Sequence, residues 1–276
     1  MTYNPLEPGG VADYPVKVGS MLLTLVDPNK GFESAYNRWY ERDHYYGGCL
    51  IGPYCLAGSR WVAPRSLKDL RWPQHDGVIA TPWDAGSYVA IYFVEAGHHG
   101  DFFGWGSKQV KALYGGGRGF NERTHVHTIL YDHVGAAYRD PDPVPIELAL
   151  DAAYDGLVVA WLDASAGRTA RDVHNSILSG ALAELLANTN IEIGSTWVPT
   201  PGQERPPGTP MDLGSGPGGP ERLAQLFFVR GDVVDALKPI RQYTDALEAG
   251  SLAMTRLVAP FFRTAVGTDK YVDELW

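Results

Sequence analysis

Only two cysteines, Cys49 and Cys55, occur in 276 residues. Six positions apart in a chain of this size, they read as reduced thiols, too few for a disulfide framework or a thiolate metal site. Runs of lysine or arginine are also missing, and the net charge is −9. That excludes nucleic acid and anionic membrane surfaces as partners, because binding phosphate needs basic patches. No apolar stretch exceeds strand length, so no membrane span is expected. Met1 to Val18 has no basic segment followed by an apolar one, which leaves the cytoplasm as the default location. There is no Gly-x-Ser-x-Gly elbow, no P-loop, and no Gly-x-Gly-x-x-Gly following a strand. What is present is a globular profile, 45% hydrophobic and 20% charged. Eight Trp and fifteen Tyr exceed the needs of a core this size, and a ring-lined cavity is one use for the surplus.

Hydrophobic periodicity divides the chain into a recurring order of elements. Val18–Val26, Cys55–Ala63, Tyr88–Glu95 and Thr124–His133 read as strands. Phe32–Tyr46 has helical spacing and ends at Gly47-Gly48, where glycine suits the left-handed position after a last turn. His98–Tyr114 is a second helix, weakened by Gly104 and Gly106. After a Pro-rich hinge at 139–145 the order returns. Leu157–Leu162 is a strand, Arg171–Asn188 a helix, and Ile191–Val198 and Leu223–Arg230 are strands; helix Val233–Ala249 and strand Met254–Ala265 follow. The expected organisation is an extension at 1–17, a first repeat at 18–138, a linker at 139–156 and a second repeat at 157–276. Residues 199–220, more than half Pro and Gly, read as an irregular spacer loop rather than a lid.

A β-α-β-β-α-β unit covers one sheet face with helices and leaves the other bare. Alternation assigns Tyr88, Tyr92, His125, His127 and Tyr131 to the bare face. It assigns Val89, Ile91, Phe93, Val126 and Leu130 to the helix side. The bare face must meet a second sheet, which two fused copies supply. The predicted fold class is therefore α+β: two fused ferredoxin-like units forming a barrel within one chain.

Asn37-Arg38-Trp39-Tyr40-Glu41-Arg42-Asp43-His44, after a first strand and closing a first helix, resembles the N-x-W-Y-x-x-x-H signature of EthD-type proteins in the dimeric α+β barrel superfamily. The resemblance implies a ligand cavity, and relatives that are isomerases, lyases, cyclases, cofactor-free oxygenases or haem proteins. After His44 this chain has Tyr45-Tyr46-Gly47-Gly48 where many such proteins have Leu-Pro. The second half lacks the motif, reading Val173-His174-Asn175-Ser176 near the matching turn.

At a helix C-terminus, unpaired carbonyls favour a protonated imidazole, and His44 can give or take a proton near neutral pH. Asp43 beside it and Tyr40 one turn earlier complete the candidate catalytic group; the bland alternative is a capping histidine over core rings. Trp39, Trp61, Tyr92, His125, His127 and Tyr131 are the candidate substrate-binding residues. His125 and His127 lack an evident third ligand, so no metal is expected. The leading expectation is a lyase-, isomerase- or cyclase-type enzyme without a cofactor, acting on a small hydrophobic or aromatic substrate. The alternatives are a haem- or metal-dependent oxidoreductase and a non-catalytic binding protein. Pairing of two chains into a homodimer is left open by the sequence.

Overall fold

A computed structural model describes residues 16–203 and 212–276; most of the N-terminal extension and the middle of the 199–220 loop lie outside them. Among the described residues there are eight strands: β1 (Val18–Pro28), β2 (Cys55–Val62), β3 (Tyr88–Glu95), β4 (Arg123–Tyr138), β5 (Gly156–Ala164), β6 (Ile191–Pro199), β7 (Arg222–Val229) and β8 (Ala253–Arg263). The helices are α1 (Glu33–Trp39), α2 (Arg65–Lys68), α3 (His99–Gly115), α4 (Ala170–Ile177), α5 (Ala181–Ala187) and α6 (Val233–Ala249). A π-helical segment, Tyr40–Leu50, continues α1.

The strands close into one antiparallel barrel in the order β1-β3-β2-β8-β5-β7-β6-β4. Each half contributes four neighbouring strands, and the two seams differ. At one, β2 and β8 share only two residue pairs, Trp61–Arg263 and Val62–Phe262. At the other, β4 runs past its expected end at His133 to Tyr138, and residues 131–138 pair with β6. Closure leaves no sheet edge exposed at this seam. Fully buried Trp61, Trp161 and Trp197 sit in the interior with Phe93, whose ring stacks on Trp197 at 5.1 Å.

The face assignment made from alternation is reversed on β3. Val89, Ile91 and Phe93 join the barrel interior, together with Met21, Leu23 and Leu25 of β1. Tyr88 and Tyr92 lie under the first helix, packed with Tyr36, Tyr40 and Cys49. Branched aliphatics fill the interior of a closed barrel. Beneath the helix Tyr92 finds a hydroxyl partner in Tyr40 at 3.0 Å, and Tyr88 takes the Arg60 guanidinium 4.0 Å over its ring.

Two helix expectations are also corrected. The first helix does not stop at Gly47-Gly48: it passes into the π-helical segment and ends at Leu50, and neither glycine is left-handed. The predicted helix over 171–188 is two, α4 and α5, broken around Ser179-Gly180. The second long helix of the second half, α6, matches its predicted bounds, capped by Asp232 accepting from the Val234 amide. Under α4, α5 and α6 the space against the sheet is filled by Val173, Ile177, Leu182, Leu186, Leu237 and Ile240. The first half is packed differently, and there a cavity remains.

Candidate functional site

The cavity, about 410 Å³, lies between the outward face of β1, β3 and β4 and the layer made by the π-helical segment and α3. Its sheet wall carries Leu22, Thr24, Tyr92, His125, Thr128 and Leu130. Along α3, Phe102/Phe103, Gly106/Ser107 and Val110/Lys111 recur every three to four residues and form the opposite wall. Tyr40, His44 and Gly48 form a file on the π-helical segment, where i→i+5 bonding lines up such residues. Gln203, Leu213 and Pro217 close the space, so the described ends of the Pro/Gly-rich loop are cavity wall rather than spacer. Gln203 is anchored by pairing its amide with both the N–H and the carbonyl of Leu130, each at 2.9 Å.

His44 lies on this wall, but not for the reason its sequence position implied. With the helix continuing to Leu50, the imidazole is not at a C-terminus and gains no carbonyl field. Its ring stacks on Trp39 (centroids 4.7 Å apart, planes 18° apart) and meets the edge of Tyr40 at 5.3 Å. Burial, and then the positive charge of Arg123, push its pKa down to about 4, with Asp43 opposing weakly. The ring is therefore neutral at pH 7, and among the described residues it has no hydrogen-bond partner. Asp43 turns away and pairs with Arg118 at 2.8 and 2.9 Å. Trp39 buttresses the site from behind: its indole donates to the Arg118 carbonyl, and Arg123 lies 4.7 Å over its ring.

Gly48 sets the position of His44. A Cβ there would stand 2.7 Å from His44 Nδ1, so close approach, not a left-handed turn, requires the glycine. At Gly47 the nearest atom is the flexible tip of Arg118, at 3.1 Å. Alanine in a helix gains about 1 kcal/mol over glycine, whereas overpacking costs about 1–3 kcal/mol. Gly47→Ala is thus expected to be neutral or stabilising and Gly48→Ala destabilising, read as urea midpoints. Equal midpoints would show that His44 is free to move.

The two strand histidines do not share the cavity. Leu25 pairs with His127 but Val26 pairs with His125, so Val126 is an extra residue in β4. Such a bulge breaks the alternation, and the side chains on either side of it face opposite ways. His125 faces the cavity, and its nitrogens are both engaged. Arg123 Nε–H donates to Nε2 at 3.2 Å, which leaves the proton on Nδ1, donated to Thr128 Oγ1 at 2.7 Å. Thr128 in turn bonds Thr24 at 2.8 Å. Burial, Arg123 and His44 push the His125 pKa down to about 3.

His127 points into the barrel. The Trp161 indole can only donate, so Tyr131 accepts from it at 3.2 Å and gives its own proton to His127 Nε2 at 2.6 Å. His127 Nδ1–H then donates to Ser215 Oγ at 2.7 Å. His127, Tyr131 and Trp61 are thus interior residues, and Trp39 stands behind His44 rather than on the wall, so four of the six binding assignments are corrected. Among the described residues no group of three His, Cys, Asp or Glu side chains is placed to hold a metal ion. Sequence reading missed Lys111, Arg123, Thr24, Thr128 and Gln203. Only the Phe103-Ser107-Lys111 spacing on α3 carried a signal.

No family model and no curated protein matches the sequence. Solved structures do match in fold. One named as a chlorite dismutase aligns over 94% of this chain and 100% of its own, at 9% identity and TM-score 0.52. An anthrone oxidase-like protein aligns over 92% and 95%, at 8% identity and TM-score 0.50. A chlorite dismutase variant from Candidatus Nitrospira defluvii, solved with cyanide, aligns over 93% and 94%, at 9% identity and TM-score 0.50. These likenesses place the chain in the ferredoxin-like α+β barrel fold; they do not single out EthD-type proteins. Neighbours of this kind, one of them a chlorite dismutase solved with cyanide, run against the expectation of a chain that works without a cofactor, and that expectation is withdrawn.

Proposed function

We propose that the protein is an oxidoreductase whose first-half cavity would hold a haem, with His44 as the residue that would ligate it. The carrying observation is a neutral, partnerless imidazole on the wall of a mainly apolar cavity. Ligation uses the neutral ring, and both nitrogens of His125 are already engaged. The volume falls within the range of small-molecule and cofactor sites, about 300–1,000 Å³. The donor set therefore fits. Among the described residues the second half offers no equivalent, since its matching space is filled with aliphatic side chains. In this reading, 18–138 and 157–276 are tandem copies joined by 139–156, and only the first kept a site. The strand order shared by the two halves supports that history.

Haem bound here would supply one-electron and oxygen chemistry. The remaining work falls to this chain. Trp39 and Gly48 fix the plane of the His44 ring. Thr128 and Arg123 hold His125 as a neutral tautomer with its proton on Nδ1, so it adds a dipole and no charge. Tyr40 and Tyr92, bonded to each other, keep a phenolic proton at the wall between β3 and the π-helical segment. Phe103, Leu130 and Leu213 exclude water and suit a small hydrophobic or aromatic substrate.

Titration of the purified chain with haemin tests this. A Soret band that saturates at one equivalent is expected. His44→Ala should bind more than about tenfold more weakly, since even the partners of metal ligands cost that much on removal. His125→Ala should keep the band. A chain that gives no Soret band, or a folded His44→Ala with unchanged spectrum and affinity, would end the proposal.

A further inference from the structure

The charge of the cavity wall runs against the charge of the chain. The protein carries −9 overall, with 32 acidic residues against 23 basic. Yet among the described residues lining the cavity there is no Asp or Glu, while Lys111 and Arg123 both line it. Arg123 is engaged by Tyr114 Oη at 2.7 Å, by His125 and by the face of Trp39. Lys111 is different. It sits on the cavity side of α3, one turn beyond Ser107, and reaches solvent. Among the described residues it has neither an ion pair nor a hydrogen bond. His44 and His125 are neutral and cannot balance or add charge.

We infer that the cavity selects a ligand with a planar apolar body and an acid group, a carboxylate or phenolate, whose charge is met by Lys111 at the rim. The inference deepens the reading of this cavity as the ligand site, and it applies whether the acid belongs to a haem or to another aromatic molecule. An apolar body accounts for the Phe102, Phe103, Val110 and Leu130 surfaces; an uncharged one would leave the rim ammonium without a role. Lys111 is exposed yet lines the mainly apolar cavity, so its ammonium can meet such a ligand end-on at the edge. Because the ammonium is a point charge rather than a planar fork, it accepts either acid type.

The test compares matched pairs of probes that differ only in the acid. Haemin and its dimethyl ester are titrated by absorbance; anthracene-9-carboxylate and 9-(hydroxymethyl)anthracene are titrated by fluorescence. Wild type should prefer the acid of each pair by about tenfold, the scale of one charge-assisted contact. Lys111→Gln should bring the ratio close to one, and Lys111→Arg should retain it. Raising the salt concentration should weaken acid binding more than ester or alcohol binding. Equal binding of acid and neutral partner by wild type, or an acid preference that survives Lys111→Gln, overturns the inference. If neither macrocycle binds while the anthracene acid does so through Lys111, the haem reading fails and this one stands. If none of the four probes binds, both fall.

Discussion

Replacing Asp163 by alanine is expected to lower the melting temperature by about 10 °C without touching the cavity. Asp163 on β5 lies opposite Arg222 on β7, and both are buried. Arg222 bonds both carboxylate oxygens, and Arg256 from β8 reaches Oδ2 at 2.6 Å. Burial alone would raise the carboxyl's pKa, but Arg222 and then Arg256 hold it below the ordinary value. Removing the carboxylate leaves Arg222 charged and unpaired inside the second half. Breaking a buried pair in this way costs about 3–5 kcal/mol, and each kcal/mol moves Tm by about 2–4 °C at this chain length. Arg256 is a third exposed, so Arg256→Ala should cost no more than about 1 kcal/mol. Calorimetry of the two variants decides the matter. A loss for Asp163→Ala no larger than that for Arg256→Ala would show that Arg222 is solvated.

Acid should unfold the protein near pH 5, above the usual carboxylate midpoints. Burial first, then Arg123 and His44, lowers the pKa of His125 to about 3; burial, then Arg222, lowers His127 to about 3. Burial and the neighbouring His174 lower His133 to about 4. The unfolded values lie near 6.5. Between the two, the unfolded chain binds protons that the folded chain refuses, so stability rises with pH in that window. Read downward, stability is complete above about pH 7, falls as pH drops through 6.5, and stops falling below the folded values. At pH 5 each of the three contributes a loss of roughly 2 kcal/mol, together comparable to the whole stability of a modest domain, about 5–15 kcal/mol. His44 adds to the loss in ligand-free protein. Urea midpoints measured from pH 7.5 to 4.5 should drop steeply, and His133→Phe should flatten the curve. Midpoints constant down to pH 5 would mean that these rings carry protons in the folded state.

The candidate site was legible in part, and the misses have specific causes. His44 and Tyr40 were found from the motif and line the cavity; Tyr92 and His125 line it too, although alternation had assigned both to the face away from the helices. His127 and Tyr131 were grouped with them because a strand without a bulge keeps i and i+2 on one face. The extra residue Val126 breaks that rule, and nothing in Thr124–His133 announces it. Trp61 was assigned to substrate because a surplus of rings suggests a cavity; it went to the interior of a closed barrel, which absorbs large rings equally well. Lys111 carried only a helical-spacing signal, since a lysine on α3 that meets a cavity cannot be told from a solvated one such as Lys108 until the strands beneath the helix are placed.

His44 shows where the division falls. By itself the sequence determined the strands, through apolar runs of strand length bounded by turn residues. It also determined a helix bearing Trp39, Tyr40 and His44 on one side, and an acidic chain without runs of lysine or arginine. These depend on local periodicity and on composition, which no tertiary contact alters. Only the tertiary structure decided whether His44 holds a proton. The sequence placed it at a helix end that would favour the charged ring. The fold carries the helix on to Leu50, buries the ring against Trp39 and sets Arg123 nearby, and each of these favours the neutral form. A pKa is set by the dielectric and the charges around a group, and those arrive from β4, α3 and a loop far along the chain.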